Sequence, residues 1–212
     1  MIYKAIGVNS DGNPAGTTIA FITFTVTGKQ WQYQLLAQSK IVYNEQWQQQ
    51  LQSATALCVA DYIQLHQHFG EYIGQLINSF IEQHSLQHQV QLIVYNGHNI
   101  INLPLKKLFV QLGDGACIAA ATGLAVIGNL TAIDIALGGK AANIFSKALL
   151  LLSASEEKSI DNTNTLIPYQ HKDVVLTALL GVIRWREEAT VLPLNGSLKA
   201  SIGGAVWIGS EA

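Results

Sequence analysis

The chain opens with three stretches dominated by apolar, β-branched and aromatic residues, Tyr3 to Val8, Thr17 to Val26 and Trp31 to Ile41, and this pattern predicts three strands. The turn between the first two, Asn9 to Gly16, reads Asn-Ser-Asp-Gly-Asn-Pro-Ala-Gly, the most turn-like run in the sequence. Thr27-Gly28-Lys29 then makes an ordinary hairpin. From Thr55 to Ile81 the residues Tyr62, Leu65, Phe69, Tyr72, Leu76 and Phe80 recur at steps of three and four, which marks one face of a long helix. Val90 to Tyr95 and Leu108 to Leu112 read as strands buried on both faces, Gly115 to Thr122 as a helix and Ala125 to Ile127 as a further strand. Ser153 to Tyr169 lapses into Ser, Glu, Asp, Asn and Thr and reads as an exposed connection. Val174 to Ile183 is ten uncharged residues with Asp173 before it and Arg184 and Arg186 after it, signs that suit the dipole of a buried terminal helix. Antiparallel strands first and strand–helix alternation afterwards predict an α/β domain with a mixed sheet flanked by helices.

Composition narrows the function classes. Hydrophobic residues make up 49% of the 212, ample for one core, while only 12% are charged and the net charge is −2. No run of Lys or Arg stands out, so nucleic acid is not an expected partner. The stretch from Gln30 to Gln91 is heavy in glutamine and reads as a solvated polar face. Cys58 and Cys117 are isolated thiols, which fits a reducing compartment and neither a disulfide framework nor a CxxC site. Asn9, Ser10, Asp11 and Gly12 interrupt the N-terminus before a signal-peptide length is reached, so a cytoplasmic location is expected. Gly115 to Ile133 carries no charge and approaches membrane-helix length, but Gly123, Gly128 and Asn129 break it, so no membrane span is expected.

Few motifs stand on spacing alone. His66 and His68, two apart on a helix, point away from each other and read as surface residues. His84 and His88 have a spacing that can hold zinc, but no third ligand lies nearby, so no metal is expected. Gly138-Gly139-Lys140 is not a Walker loop, because Ile133 replaces the first glycine and Ala141 the hydroxyl that would hold magnesium. Asp114, between Gly113 and Gly115, reads as the cap of the helix that follows.

Longer, ordered segments carry a resemblance. Gln111-Leu112-Gly113-Asp114-Gly115-Ala116 through Ala121-Thr122-Gly123, then Gly128 to Gly139, resemble the centre of the anhydro-N-acetylmuramic acid kinases. Ile6-Gly7-Val8-Asn9-Ser10 through Gly16 is similar to that family's first loop, and Leu179 to Gly209 to its C-terminal tail. The resemblance implies a ribonuclease-H-like domain of the sugar kinase and actin superfamily. Such kinases have two domains, with ATP, magnesium and sugar meeting in the cleft. They phosphorylate an amino sugar recovered in peptidoglycan recycling and open its 1,6-anhydro bridge.

The sequence departs from that pattern where chemistry is carried. The family's Ser-Gly-Thr-Ser-x-Asp-Gly becomes Ser10-Asp11-Gly12-Asn13-Pro14-Ala15-Gly16, which retains only Ser10 and Gly16 of the pattern, so that Ser10, Gly12 and Gly16 would form a vestigial phosphate loop. Asp11 adds negative charge there, Pro14 removes a donor and Ala15 a carboxylate. Ser-His-Gly-His/Gln-Thr becomes Tyr95-Asn96-Gly97-His98-Asn99. In Asp-Phe-Arg-x-x-Asp the first aspartate, the family's base, becomes Asn129 and the arginine becomes Thr131, while Asp134 remains. Ala136-Leu137-Gly138-Gly139 is kept and runs into Lys140-Ala141-Ala142-Asn143 instead of Gln-Gly-Ala-Pro.

The nucleotide-contacting motifs of a second domain have no match, so residues 1–212 are expected to form one domain like the first of the kinases. Residues 153–169 would replace the deleted domain and 170–212 would return to the first. No catalytic residue and no cofactor are expected, ATP and magnesium included. A vestigial sugar site would use His98, Asn129, Asp134, Gly138 and Gly139. The chain is expected to act as an inactive binding, regulatory or interaction protein; the alternatives are a phosphotransferase completed by a partner chain and a bare sugar-binding module. Expected partners are a second copy of the chain, forming a dimer through the face the missing domain would cover and the surplus apolar surface of the terminal helix, an intact kinase relative, or a small amino sugar.

Overall fold

The three N-terminal strands form as the sequence predicts: β1 (Ile2–Asn9), β2 (Gly16–Thr27) and β3 (Gln30–Val42) make an antiparallel meander. The computed structural model describes residues 1–10, 14–139, 144–156, 171–192 and 200–210. After β3 come helices α1 (Glu45–Ser53) and α2 (Val59–Gln83), then β4 (Leu92–Asn96). A hairpin of β5 (His98–Leu103) and β6 (Leu108–Leu112) follows, then α3 (Gly115–Thr122), β7 (Val126–Gly128) and α4 (Ala132–Ala136). The C-terminal part supplies α5 (Ser146–Glu156), α6 (Lys172–Trp185) and β8 (Ala205–Trp207). The main sheet has the order β3-β2-β1-β4-β7-β8. β4 runs parallel to β1 and β7 parallel to β4, so the sheet is mixed, in a ribonuclease-H-like arrangement.

Period-two alternation sorts the strands' apolar residues into two cores. Ala20, Ile22, Phe24, Leu92, Val94 and Ile127 face the side covered by α6, while Ile19, Phe21, Ile93, Tyr95 and Val126 face α2 and α3. Both faces being covered explains why β4 is buried throughout and apolar from Leu92 to Tyr95. On α2 the buried stripe is Leu65, Phe69, Ile73, Ile77 and Phe80, with Tyr62, Tyr72 and Leu76 packed along its margin.

Four expectations need correction. Leu108 to Leu112 is a strand, but it pairs with β5 in a separate two-stranded sheet, and Leu108 to Val110 are exposed or half-buried. Ser153 to Tyr169 does not begin as a loop: its first four residues complete α5, and 157–169 lie outside the described residues. Every residue from Val174 to Ile183 is buried by the chain itself, so α6 has no surplus apolar face and a dimer cannot be argued from it. His66 is not a surface residue: it is half-buried against the turn before α3. The stretch Gly115 to Ile133 resolves into α3, β7 and the start of α4, and no described helix is long and apolar enough to cross a membrane.

Candidate functional site

Three neighbouring parallel strands end on asparagine or run directly into one. Asn9 closes β1 and stands in register with Asn96, which closes β4. Asn129 directly follows β7, and both Asn96 and Asn129 lie two residues beyond the paired Val94 and Ile127. The carboxyl ends of parallel strands are where open α/β sheets place their ligands, because the strands stop there and the connections splay apart. The Asn96 amide donates to Asn9 Oδ1 at 2.7 Å, and Gln111 Nε2 donates to Asn96 Oδ1 at 2.9 Å and to Asn99 Oδ1 at 2.8 Å. The β5–β6 hairpin thus brings two further amides to the end of the sheet.

Asn129 adopts a left-handed conformation with φ 53°, and its carbonyl accepts from Ala132 N at 3.2 Å as the chain turns into α4. Asparagine tolerates that conformation better than most side chains, which gives it a backbone role as well as a site position. Its side chain is exposed. Thr131, where the resemblance places an arginine, is buried and uncharged. Asp134 sits in α4, and the turn after that helix folds back so that Gly139 N donates to the Asp134 carbonyl at 2.7 Å. A Cβ at Gly139 would run into the Asp134 carboxylate, so glycine there keeps the two together. Gly138 is exposed with φ 90°, a left-handed position that glycine fills without strain.

His98, the first residue of β5, is 5% exposed and its Nδ1 has no hydrogen-bond partner. Burial lowers its pKa, so the ring is neutral at neutral pH. Ser10 does not offer its hydroxyl outward. Its Oγ donates to Thr17 Oγ1 and shares a hydrogen bond with the Tyr43 hydroxyl, each at 3.1 Å, and its N–H donates to the Asn96 carbonyl at 3.0 Å. Desolvation pushes Tyr43 up to about 12, as befits a phenol held neutral within this buried trio. Gly16 starts β2, where a Cβ would strike the Ile41 carbonyl of β3. Gly12 lies outside the described residues. Among the described residues no group of three His, Cys, Asp or Glu is placed to hold a metal ion.

Asp114 caps α3 as predicted, accepting from Ala116 N at 2.8 Å. His66, which its spacing to His68 assigns to the surface, fixes the turn before it. Its Nδ1 accepts from Gly113 N and its carbonyl from Asp114 N, both at 3.1 Å. Gly70, one turn further along α2, lets the Asp114 backbone approach where a Cβ would collide with it. His66 lies one turn after Tyr62 and beside Leu65, so its inward placement was available from the helical period.

Burial lowers the pKa of His66 as well as that of His98. For both, the unfolded chain binds more protons once the pH falls below the ordinary value of 6.5, so folding stability present above that value is lost as the pH falls further. Urea denaturation should therefore give a lower unfolding free energy at about pH 5 than at about pH 8, and the His66→Asn, His98→Asn pair should flatten that slope. An unchanged slope in the double variant would remove both residues from the account.

Comparison with known proteins bears on the whole arrangement. The family model described as anhydro-N-acetylmuramic acid kinase matches residues 3–163. Similar relatives include the anhydro-N-acetylmuramic acid kinase of Brucella suis, 32% identical over 80 residues, which are 37% of this chain and 21% of the relative. That of Methylorubrum extorquens is 35% identical over 80 residues, 36% of this chain and 21% of the relative. The aligned stretch therefore spans about a fifth of the length of these curated relatives. With the family model covering most of its length and a mixed α/β sheet of the expected kind, the chain belongs to the anhydro-N-acetylmuramic acid kinase family.

Proposed function

We propose that this chain is a catalytically silent member of its family, a binding protein that takes an amino sugar of the anhydro-N-acetylmuramic acid type at the end of its sheet and does not phosphorylate it. The observation that carries this reading is the row of asparagines at the ends of β1, β4 and β7. An amide donates and accepts hydrogen bonds to hydroxyls but cannot take a proton from an attacking water, and a positioned base is typically worth ~10²- to 10⁴-fold. Thr131 brings no cation to the transferring phosphoryl group, which removes a second large contribution. His98 supports the binding half of the reading: an unpartnered ring nitrogen in a buried position is costly unless something satisfies it, and a sugar hydroxyl can.

Thermal unfolding with added ligand tests the reading. Anhydro-N-acetylmuramic acid should raise the midpoint progressively, by the equivalent of ~2.7 kcal/mol at 100 times its dissociation constant. ATP with magnesium should leave it unchanged. No response to the sugar defeats the binding role, and a response to the nucleotide favours a phosphotransferase completed by a partner.

A further inference from the structure

The glutamine-rich stretch has a structural destination that the sheet-end site does not use. A hollow of about 390 Å³ lies between α1 and α2, and a second of about 280 Å³ adjoins it, the two sharing Gln50, Leu65 and His68. Among the described residues no strand lines either one. Leu65, 7% exposed, belongs to both linings, and Trp47 forms a wall. The indole is held in place, stacked on Tyr72 at 4.8 Å and 22° and leaning on Phe69 at 5.3 Å. Gln46, Gln50 and Gln75 surround this apolar surface, and their side-chain amides make no hydrogen bond to any described residue. Other glutamine amides are engaged: Gln48 donates to the Tyr43 carbonyl at 2.7 Å and Gln89 to the Ser85 carbonyl at 3.0 Å.

We infer that this groove is a second ligand site, built for a neutral saccharide of about two sugar rings. An amide terminus offers a donor and an acceptor side by side, which matches a pair of adjacent hydroxyls. An ordered aromatic ring flanked by a buried leucine matches the C–H face of a pyranose. Among the described residues no lysine or arginine lines either hollow, so an anionic ligand finds no lysine or arginine counter-charge there. The carboxylates are divided, Glu71 in the larger hollow and Asp61 in the smaller, where Asp61 already accepts from the Cys58 thiol at 3.2 Å. That division suits hydroxyl donors along the groove better than one compact cation. The volume falls at the small end of the range for ligand pockets, ~300 to 1,000 Å³, which suits a disaccharide. This inference does not depend on the sugar binding proposed at the sheet end, which uses other residues.

Amide NMR of the full chain tests it, with cellobiose and N,N′-diacetylchitobiose as probes and spermidine as a cationic control. The disaccharides should produce saturable shifts confined to residues 46–50 and 64–75, with millimolar or tighter affinity. Trp47→Ala should weaken binding by about tenfold or more. Because that variant also disturbs the packing on Phe69, the Gln50→Ala, Gln75→Ala pair serves as the second variant, with folded spectra and a similar loss. The inference is overturned if neither disaccharide shifts these resonances, if spermidine alone does, if the shifts appear only around Asn96 and Asn129, or if the glutamine pair binds as well as the parent.

Discussion

Phe69→Ala is expected to destabilise the protein by ~3 to 5 kcal/mol, among the largest effects of any single truncation in it. Phe69 is fully buried at the centre of the core between the sheet and α2. Its ring meets Tyr43 edge-on at 5.7 Å and Trp47 at 5.3 Å, contacts worth ~0.5 to 1.5 kcal/mol each beyond the area buried. Tyr43 is pinned by Ser10 and Trp47 by Tyr72, so neither ring can move into the space without giving up a partner. The cavity should stay open and its cost should be close to full. For a domain of this size each kcal/mol lowers the melting temperature by ~2 to 4 °C, so a drop of about 6 to 20 °C is expected. Phe69→Leu, which keeps most of the volume, should cost less than half as much. A melting temperature within about 2 °C of the parent for the alanine variant would show that Phe69 is not central to this core.

The sheet was legible in the sequence wherever burial left a periodic mark. β1, β2, β4 and α6 carry apolar residues so regularly that their positions follow from pattern alone. Leu108 to Leu112 misled because a short apolar run looks the same in a central strand and in a hairpin beside the sheet. α1 was hidden among glutamines, with Leu51 its one buried residue, although Asn44 caps it by accepting from Trp47 N at 2.9 Å. At the site, the family resemblance places a carboxylate where Asn129 stands and a cation where Thr131 stands, so both differences are readable from the sequence. The amide chain is not. Asn9 and Asn96 are 87 residues apart, and only the parallel register of β1 with β4 brings them together. The withdrawal of Ser10 into a trio with Thr17 and Tyr43 depends likewise on the register of β3 with β2, which the strand pattern alone does not fix.

Restoring the carboxylate with Asn129→Asp is expected to produce no activity. The substitution is a clean one, because aspartate also tolerates a left-handed backbone and the side chain is exposed, so the fold and the new charge should both survive. A base contributes only where a phosphoryl donor is held and its charge is stabilised. Thr131 supplies no cation and the Ser10 hydroxyl is already committed, so neither would help the new carboxylate activate water against a phosphoryl donor. Direct detection of phosphotransfer, by mass spectrometry of anhydro-N-acetylmuramic acid incubated with ATP, magnesium and purified protein, tests the account most directly. Neither the parent nor Asn129→Asp should form phosphorylated sugar above the protein-free background; product that grows in proportion to the amount of either protein would contradict it.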